Sequence, residues 1–295
     1  WAAAAQSIDW DQGWDRVLDS AKAPFYRWFP GAAMNTCHNA LDRHVAAGRA
    51  GQLALIHDSP VTGTITRVTY RHLLDNVARL AGALQDLGLE KGDRVLIYMP
   101  MVAEAAMAML ACARLGAIHS VVFGGFSPDA LSGRILDCES TMVITADEGV
   151  RGGKCIPLKQ FTDKALQNCP DCTKSIVVRR TGGAVDWVEG RDVWYHDAMA
   201  TASAYCPAEE MNAEDPMFIL YTSGSTGLPK GVVVTHRGLA NLAAEERTRF
   251  DVTPGSRTLA FASPSFDASI LEFMLAFGAA ATMVIAPPAL YGGPE

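Results

Sequence analysis

The chain lacks the long, uninterrupted hydrophobic run of a membrane-spanning helix. Of its 295 residues, the apolar stretch 101–126 contains Glu104 and Arg114, and the charge-free stretch 273–290 is broken by a glycine and two prolines. We therefore expect no membrane partner. The chain also lacks an initial methionine and a charged segment followed by an apolar one. These absences predict no secretory signal and indicate a trimmed or partial sequence.

The chain also has fewer basic than acidic residues. Lysine and arginine total 25 against 32 acidic residues, for a net charge of −7. Proteins that bind nucleic acid normally show a basic patch or stripe, so we expect no nucleic-acid partner. Anionic small ligands remain compatible with this charge, because local N–H groups and single lysines can hold them.

The seven cysteines form no disulfide framework, and their odd number favours a reducing, cytoplasmic location. Cys169 and Cys172 have the spacing of a metal knuckle or a redox pair. A zinc site would need a second pair or nearby histidines, and none lies at such spacing. The favoured interpretation is that the two cysteines have this spacing by chance within a loop, and no metal-ligating side chain is predicted.

Two nucleotide-binding signatures are missing as well. No G-x-G-x-x-G motif opens an early helix, which disfavours a hydride-transferring Rossmann enzyme. No Walker A motif is present either, because Lys230 stands between Pro229 and Gly231 rather than before a serine or threonine.

From about residue 69 onward, short apolar segments alternate with helical periodicity. Thr69 is predicted to cap a helix that stops at Gly88. This alternation predicts βαβ units and an α/β fold with mostly parallel sheets. Residues 1–65 are less regular and rich in tryptophan, and are predicted to be an extension packed on a main domain of residues 66–295. The predicted strands are 95–99, 119–123, 142–145, 175–178, 217–221, 258–261 and 282–285, and further helices lie near 102–115, 127–137, 238–247 and 268–277.

A glycine- and hydroxyl-rich loop with one lysine follows the apolar run 217–221. Its glycines allow backbone N–H groups to turn toward one anion, its hydroxyls add donors, and its lysine adds a compact charge. This pattern predicts a site for the phosphates of ATP. The predicted ligands are Thr222, Ser223, Gly224, Ser225, Thr226, Gly227 and Lys230, with Lys230 and Thr226 as the catalytic candidates.

The loop resembles the signature of the adenylate-forming superfamily, which includes acyl-CoA synthetases and the adenylation domains of nonribosomal peptide synthetases. Residues 1–231 further resemble a short-chain acyl-CoA synthetase of the acetyl/propionyl type. The stretches that carry this resemblance are Trp28–Gly31, Asn39–His44, Lys91–Val95, Met109–Ala117, His119–Phe126, Ala146–Lys154 and Asn212–Pro216. The fold implied is the truncated N-terminal large domain of an adenylate-forming enzyme.

The resemblance implies a coenzyme A site at Phe123, Gly124, Gly125 and Arg151. Glycines let a pantetheine chain approach the backbone, an aromatic ring can contact adenine, and an arginine can pair with a phosphate. Such enzymes often carry a second arginine where this chain has Lys154 or a neighbouring glycine.

Residues 232–295 instead resemble a peptide-synthetase adenylation domain, and the stretches that carry this resemblance are Val232–Asn241 and Phe261–Ser269. In that family the aspartate that matches Asp267 holds the α-ammonium group of an amino acid; capping of the following helix is an alternative role. The chain is therefore expected to be a natural hybrid or a joined sequence, with the junction near residue 231.

The favoured function is ATP-dependent activation of acetate or propionate to an acyl-adenylate and then to acyl-CoA, with release of pyrophosphate and AMP. ATP, Mg²⁺ and coenzyme A are the implied cofactors. The alternatives are an amino-acid adenylation domain, which would add a carrier domain as partner, and a non-catalytic nucleotide-binding fragment. Family members continue with a further adenine-binding segment and a small domain that carries a catalytic lysine, so this chain alone is expected not to complete adenylation.

Overall fold

The computed structural model describes residues 1–151, 153–222 and 229–287. In this part of the chain, strands alternate with helices from residue 53 onward. The strands, numbered in chain order, are β1 (Leu18–Asp19), β2 (Arg27–Trp28), β3 (Leu53–Ser59), β4 (Thr64–Thr69), β5 (Arg94–Met99), β6 (Ile118–Phe123), β7 (Met142–Ala146), β8 (Gly149–Arg151), β9 (Lys154–Ile156), β10 (Lys174–Val178), β11 (Asp192–Trp194), β12 (Pro216–Thr222), β13 (Lys230–Thr235), β14 (Arg257–Ala260) and β15 (Thr282–Ile285). The α-helices are α1 (Ala2–Ala5), α2 (Tyr70–Asp86), α3 (Ala103–Leu115), α4 (Pro128–Asp137), α5 (Leu158–Leu166), α6 (Tyr195–Thr201), α7 (Leu239–Arg249) and α8 (Asp267–Phe277).

Seven strands form the larger sheet, in the order β11-β10-β7-β5-β6-β12-β13. All neighbours run parallel except β12 and β13, which pair antiparallel. The central strand β5 is buried along Val95–Met99, as expected for a strand that helices cover on both faces. The prediction of an α/β fold with mostly parallel sheets is confirmed.

A second sheet of four strands has the order β14-β15-β3-β4. Strands β14, β15 and β3 are parallel, and β3 turns back into β4 as an antiparallel hairpin. The sequence patterns predicted β14 and β15 but neither strand of the hairpin. Strand β3 lies within residues 1–65 and pairs with β15 near the other end of the chain, and the division at residue 65 stays a prediction.

Helix α3 packs on β5 and β6 of the large sheet, and α2 packs against α3 and against β3 and β4 of the small sheet. The Thr69 hydroxyl accepts a hydrogen bond from the His72 amide at 3.2 Å, so the predicted cap of α2 is confirmed. Every residue of α3 except Glu104 is buried, and the helix ends at Gly116, whose φ of +70° suits glycine. A Cβ on Gly116 would meet the Met211 side chain. The left-handed backbone favours glycine at this turn, because an L side chain is strained there.

The tryptophan-rich beginning of the chain forms its own small cluster. Trp10 and Trp14 pack around the buried Phe29 ring, with ring centroids 5.5 and 5.4 Å away. The Trp28 amide donates to the Glu214 carboxylate at 2.8 Å, which attaches this segment beside β12. Among the helices of the described residues, none combines the length and apolarity needed to cross a bilayer.

Candidate active site

A cleft of about 380 Å³ opens at the carboxyl ends of strands from both sheets. Met99 and Phe123 end β5 and β6 of the large sheet, while His57 and Ile285 belong to β3 and β15 of the small one. Ligands of open α/β sheets bind at the carboxyl ends of the strands, where the loops diverge. The lining is completed by Asp58, Ser59, Pro60, Val61, Pro100, Met101, Val150, Arg180, Phe261, Ser263, Pro264, Ala286 and Pro287.

The predicted phosphate loop leaves the large sheet at the same edge. Strands β6 and β12 are parallel, so Thr222 at the end of β12 lies toward the same side as Phe123. Thr222 pairs directly with Lys230 at the start of β13, and both residues are exposed. The pairing holds the two ends of the loop together. The other predicted ligands, Ser223, Gly224, Ser225, Thr226 and Gly227, lie outside the described residues.

The turn after β6 contains the three neighbouring residues of the predicted coenzyme A site. A Cβ on Gly124 would lie 3.1 Å from the Met99 carbonyl and the Pro100 nitrogen, so the turn packs directly on the backbone after β5. Gly125 has a φ of +148°, and a Cβ there would lie 3.3 Å from the Phe123 ring. The Tyr98 hydroxyl donates to the Phe126 carbonyl at 2.8 Å. Close contact with the backbone after β5 therefore requires glycine at position 124, and the positive φ and the Phe123 ring favour glycine at position 125.

Arg151 lies over the Phe123 ring, with its guanidinium carbon 5.1 Å from the ring centroid. It ends β8, and its partner in the β8–β9 hairpin is Lys154. Both cationic side chains are exposed. The structure therefore brings Phe123, Gly124, Gly125 and Arg151 together beside the cleft, with Lys154 as a second positive charge.

Asp267 is the first residue of α8 and is exposed. Its Oδ1 atom accepts a hydrogen bond from the Ala268 amide at 2.8 Å, which places the carboxylate against the first turn of the helix. Asp267 is not among the residues that line the cleft. The observed contact is that of a helix-terminal carboxylate, and a contact with substrate stays a prediction.

A half-buried acid on α8 holds the loop between β14 and α8 in place. The Glu272 carboxylate accepts hydrogen bonds from the amides of Phe261 and Ala262 at 2.9 Å. Burial raises the pKa of Glu272, while these two amides work in the opposite direction. Because Phe261 lines the cleft, Glu272 positions one of its walls.

Sequence reasoning missed Arg180, which lines the cleft, and Asp147, which anchors the backbone there. Asp147 follows β7 and Arg180 follows β10, two adjacent parallel strands. Polar residues just beyond the carboxyl ends of predicted parallel strands are the signal that could have identified both.

Cys169 and Cys172 are both buried and unpaired. The Cys169 thiol donates to the Ser132 carbonyl at 3.7 Å, and burial raises the pKa of Cys172 to about 12. Within residues 1–151, 153–222 and 229–287, no group of three or more histidine, cysteine, aspartate or glutamate side chains is placed to hold a metal ion.

Comparisons with known proteins match most of the chain. The family model described as AMP-binding enzyme matches residues 42–291, and that described as acetyl-coenzyme A synthetase N-terminus matches residues 1–40. Acetyl-coenzyme A synthetase 2 of Pseudomonas aeruginosa is 54% identical over 261 residues, covering 86% of this chain and 40% of the relative. Acetyl-coenzyme A synthetase 2 of Pseudomonas putida is 57% identical over 242 residues, covering 81% of this chain and 37% of the relative. The chain thus spans about 40% of the length of these relatives.

Among solved structures, the acetoacetyl-CoA synthetase from Streptomyces lividans superposes with a TM-score of 0.83. It is 25% identical in sequence, and the match covers 98% of this chain and 45% of that one. The AMP-binding match runs through the predicted junction at residue 231. The comparisons give no support to the predicted resemblance of residues 232–295 to a peptide-synthetase adenylation domain.

Proposed function

The chain belongs to the AMP-binding enzyme family, and from this premise we propose that a protein of the relatives' full length containing it is an AMP-forming acid–CoA ligase that activates acetate. The observation that carries the proposal is the match to acetyl-CoA synthetases over more than four fifths of the chain. The cleft at the carboxyl ends of both sheets supports it, because the predicted phosphate loop leaves the large sheet at the same edge.

The proposed reaction has two steps. The acetate carboxylate attacks the α-phosphorus of ATP, which yields acetyl-adenylate and pyrophosphate. The thiol of coenzyme A then displaces AMP and forms the thioester. Chemistry of this kind depends on positioning and charge neutralisation rather than on a protein nucleophile.

In this proposal the loop from Thr222 to Lys230 holds the β- and γ-phosphates and the departing pyrophosphate. Lys230 makes no ion pair with another described residue, so its ammonium group is available to a phosphate. Mg²⁺ bound with ATP neutralises phosphate charge. The exposed Thr222 hydroxyl is an oxygen donor of the kind that Mg²⁺ accepts.

We assign the coenzyme A site to the surface formed by Phe123 and Arg151. An arginine already stacked on an aromatic ring can turn toward a nucleotide phosphate while the ring meets adenine. Lys154, directly opposite Arg151 in its hairpin, adds a second charge for the same phosphate.

All seven cysteines are free, which supports a reducing, cytoplasmic location.

The test is ATP–pyrophosphate exchange in a protein extended to the relatives' length. Acetate should support exchange, and Lys230→Ala should lower its rate by about a hundredfold or more, because the positive charge that neutralises the departing pyrophosphate is lost. Lys164→Ala, at an exposed lysine of α5, is the matched control and should leave the rate unchanged.

Three results would contradict the proposal. If Lys230→Ala left the exchange rate unchanged, Lys230 would not contribute to phosphate binding. Exchange driven by amino acids but not by acetate would favour the adenylation-domain alternative at Asp267. Nucleotide binding without any exchange would favour the non-catalytic alternative.

A further inference from the structure

Arg180 carries a half-buried positive charge that the proposed reaction leaves unused. It lies just beyond β10, and its side chain lines the cleft. The guanidinium atoms Nε and Nη1 are buried, and no described residue accepts a hydrogen bond from either. An arginine cannot relieve this cost by losing its proton, because its pKa is too high. A buried guanidinium without acceptors is therefore expected only where something supplies them.

The neighbouring carboxylates do not supply these acceptors. Glu104 and Asp147 lie near enough to favour the charged form of Arg180, while burial lowers its pKa. Neither carboxylate forms an ion pair with Arg180 in the described part of the chain. The two carboxylates thus partly balance the charge from a distance, but the Nε and Nη1 donors of Arg180 have no hydrogen-bond acceptor among the described residues.

Asp147 is occupied in holding the Arg180 backbone. It is 1% exposed, and its carboxylate accepts hydrogen bonds from the amides of Arg180 at 2.9 Å, Thr181 at 3.1 Å and Gly182 at 2.8 Å. The Glu148 amide donates to it as well, at 2.7 Å. With its oxygens engaged by the backbone, Asp147 fixes the turn from which Arg180 extends and leaves the guanidinium unpaired.

We propose that Arg180 binds an anionic oxygen group, a carboxylate or a phosphoryl group, of a ligand that enters the cleft. Planar guanidinium groups match both kinds of anion. His57 lines the same cleft from β3 and offers a further ring N–H donor. Arg180 differs from the cations of the two anion sites proposed above, because Lys230 and Arg151 are exposed whereas Nε and Nη1 of Arg180 are buried.

The first test is equilibrium binding of small anions to the 295-residue chain by calorimetry. Acetate probes the carboxylate source, and pyrophosphate and coenzyme A probe the phosphoryl source. Arg180→Gln should weaken binding of at least one probe by about tenfold to a hundredfold, since a charge-assisted hydrogen bond is lost. Arg179→Gln is the matched control: Arg179 is adjacent and exposed, and it stacks on Trp194 at 4.4 Å, so binding should not change.

The identity of the affected probe assigns the source of the anion. Selective loss of acetate binding would place the substrate carboxylate at Arg180, and selective loss of pyrophosphate or coenzyme A binding would place a phosphoryl group there. Equal affinities of wild type and Arg180→Gln for every probe, or no binding of any probe to the wild type, would overturn the proposal. No turnover is measured, so a failure here is distinct from a failure of the exchange assay.

A stability measurement separates a ligand role from a structural one. In the absence of anions, Arg180→Met should raise the melting temperature, because an unpaired buried charge is replaced by an apolar chain of similar length. The same variant should lose the increase in melting temperature that the binding probe gives the wild type. A lower melting temperature with an unchanged response to the probe would show that Arg180 is structural and overturn the proposal.

A third readout is made on the wild-type chain itself. In the wild-type chain, the nitrogen-15 NMR signal of the Arg180 Nε–H group should shift on titration with the bound probe. Its assignment rests on Arg180→Lys, which keeps the charge and removes that resonance. A probe that binds without moving the Arg180 signal would contradict the proposal.

Discussion

At the scale of single residues, Glu246 on α7 is a carboxyl group placed where its charge is unfavourable. It is 3% exposed, and no described residue donates a hydrogen bond to either of its carboxyl oxygens. Burial raises the pKa of Glu246 to about 7, from 4.5 in the unfolded chain. Between these pH values the folded state binds the extra proton, so its stability falls as pH rises through this window and stays lower above it.

We expect Glu246→Gln to stabilise the chain at pH 8 by about 2–3 kcal/mol and to have little effect at pH 4, where the glutamate is protonated in both states. Denaturant unfolding at the two pH values measures this difference. Glu245→Gln, at the exposed neighbouring residue, should change stability by less than about 0.5 kcal/mol at either pH. A Glu246→Gln variant with no pH-dependent gain would contradict the interpretation.

His119 on β6 presents the opposite case. It is 1% exposed, and neither ring nitrogen has a hydrogen-bond partner in the described residues. Burial lowers the pKa of His119 to about 3, and that of the nearby His236 to about 4. The unfolded chain takes up these protons below about pH 6.5, while the folded chain resists them until pH 3–4. Stability is therefore lost as pH falls through this window.

Replacing His119 by leucine should remove part of this acid sensitivity. We expect the pH midpoint of acid unfolding to move to a lower value for His119→Leu. The unfolded variant has one fewer histidine that takes up a proton before the folded state does, so acid favours unfolding less strongly. Circular dichroism across pH 7 to 3 gives the midpoint. His72→Leu, at an exposed histidine of α2, should leave it in place. Equal midpoints for His119→Leu and the wild type would show that other groups govern acid unfolding.

At the scale of secondary-structure elements, a buried ionic network fastens α5 to β11. The Lys159 ammonium group is fully buried and lies 2.7 Å from the Asp163 carboxylate and 2.8 Å from the Asp192 carboxylate. It also donates to the Asp186 carbonyl at 3.0 Å, and Arg191 pairs with Asp192 at 2.7 Å. The network closes the long segment between β10 and β11 over α5. The charges stabilise the fold only as a set, because the fully buried Lys159 or Asp192 side chain without its partners would be a buried unpaired charge.

Lys159→Met should therefore lower the free energy of unfolding by about 3–5 kcal/mol, the usual result of breaking a buried ion pair on one side. Lys164→Met, on the exposed face of the same helix, should change it by no more than about 0.5 kcal/mol. Denaturant unfolding gives both values. If the two variants lost similar stability, the network would not be what joins these elements.

At the scale of the whole molecule, Glu214 connects the beginning of the chain to the segment after β13. Its carboxylate accepts the Trp28 amide at 2.8 Å and forms an ion pair with Arg237 at 2.5 Å. Antiparallel bridges of Ala33 to Gln12 and Asn212 add backbone contacts at the same place. The tryptophan cluster is thus held to the main body partly through one acidic side chain.

Loss of that side chain should release the segment before the sheets unfold. For Glu214→Ala we expect faster proteolytic cleavage within residues 1–33 and a red shift of tryptophan emission, because the cluster becomes more exposed to water. Far-UV circular dichroism should stay close to wild type. Glu210→Ala, at an exposed residue nearby, is the control. Cleavage of Glu214→Ala at the wild-type rate would mean that the other contacts hold the segment by themselves.

The sequence by itself determined the elements whose signals are local. Strand β15 is predicted at 282–285 and found at Thr282–Ile285, because a short apolar run between turns has few other ways to bury itself. The start of α2 at Thr69 and the end of α3 at Gly116 are equally local, since a cap bonds its own helix and a left-handed turn depends on one glycine. Family-specific stretches also led to the proposal of an acid–CoA ligase.

Only the tertiary structure decided which distant segments meet. Strand β3 carries no decisive local pattern, and besides its hairpin partner β4 it pairs with β15, more than 200 residues later in the chain. The cleft exists because two sheets bring their carboxyl ends together, and Arg180 is unpaired because Asp147 binds its backbone instead of its guanidinium. Periodicity records how a segment buries its own side chains, whereas a site is made by segments that share no local signal.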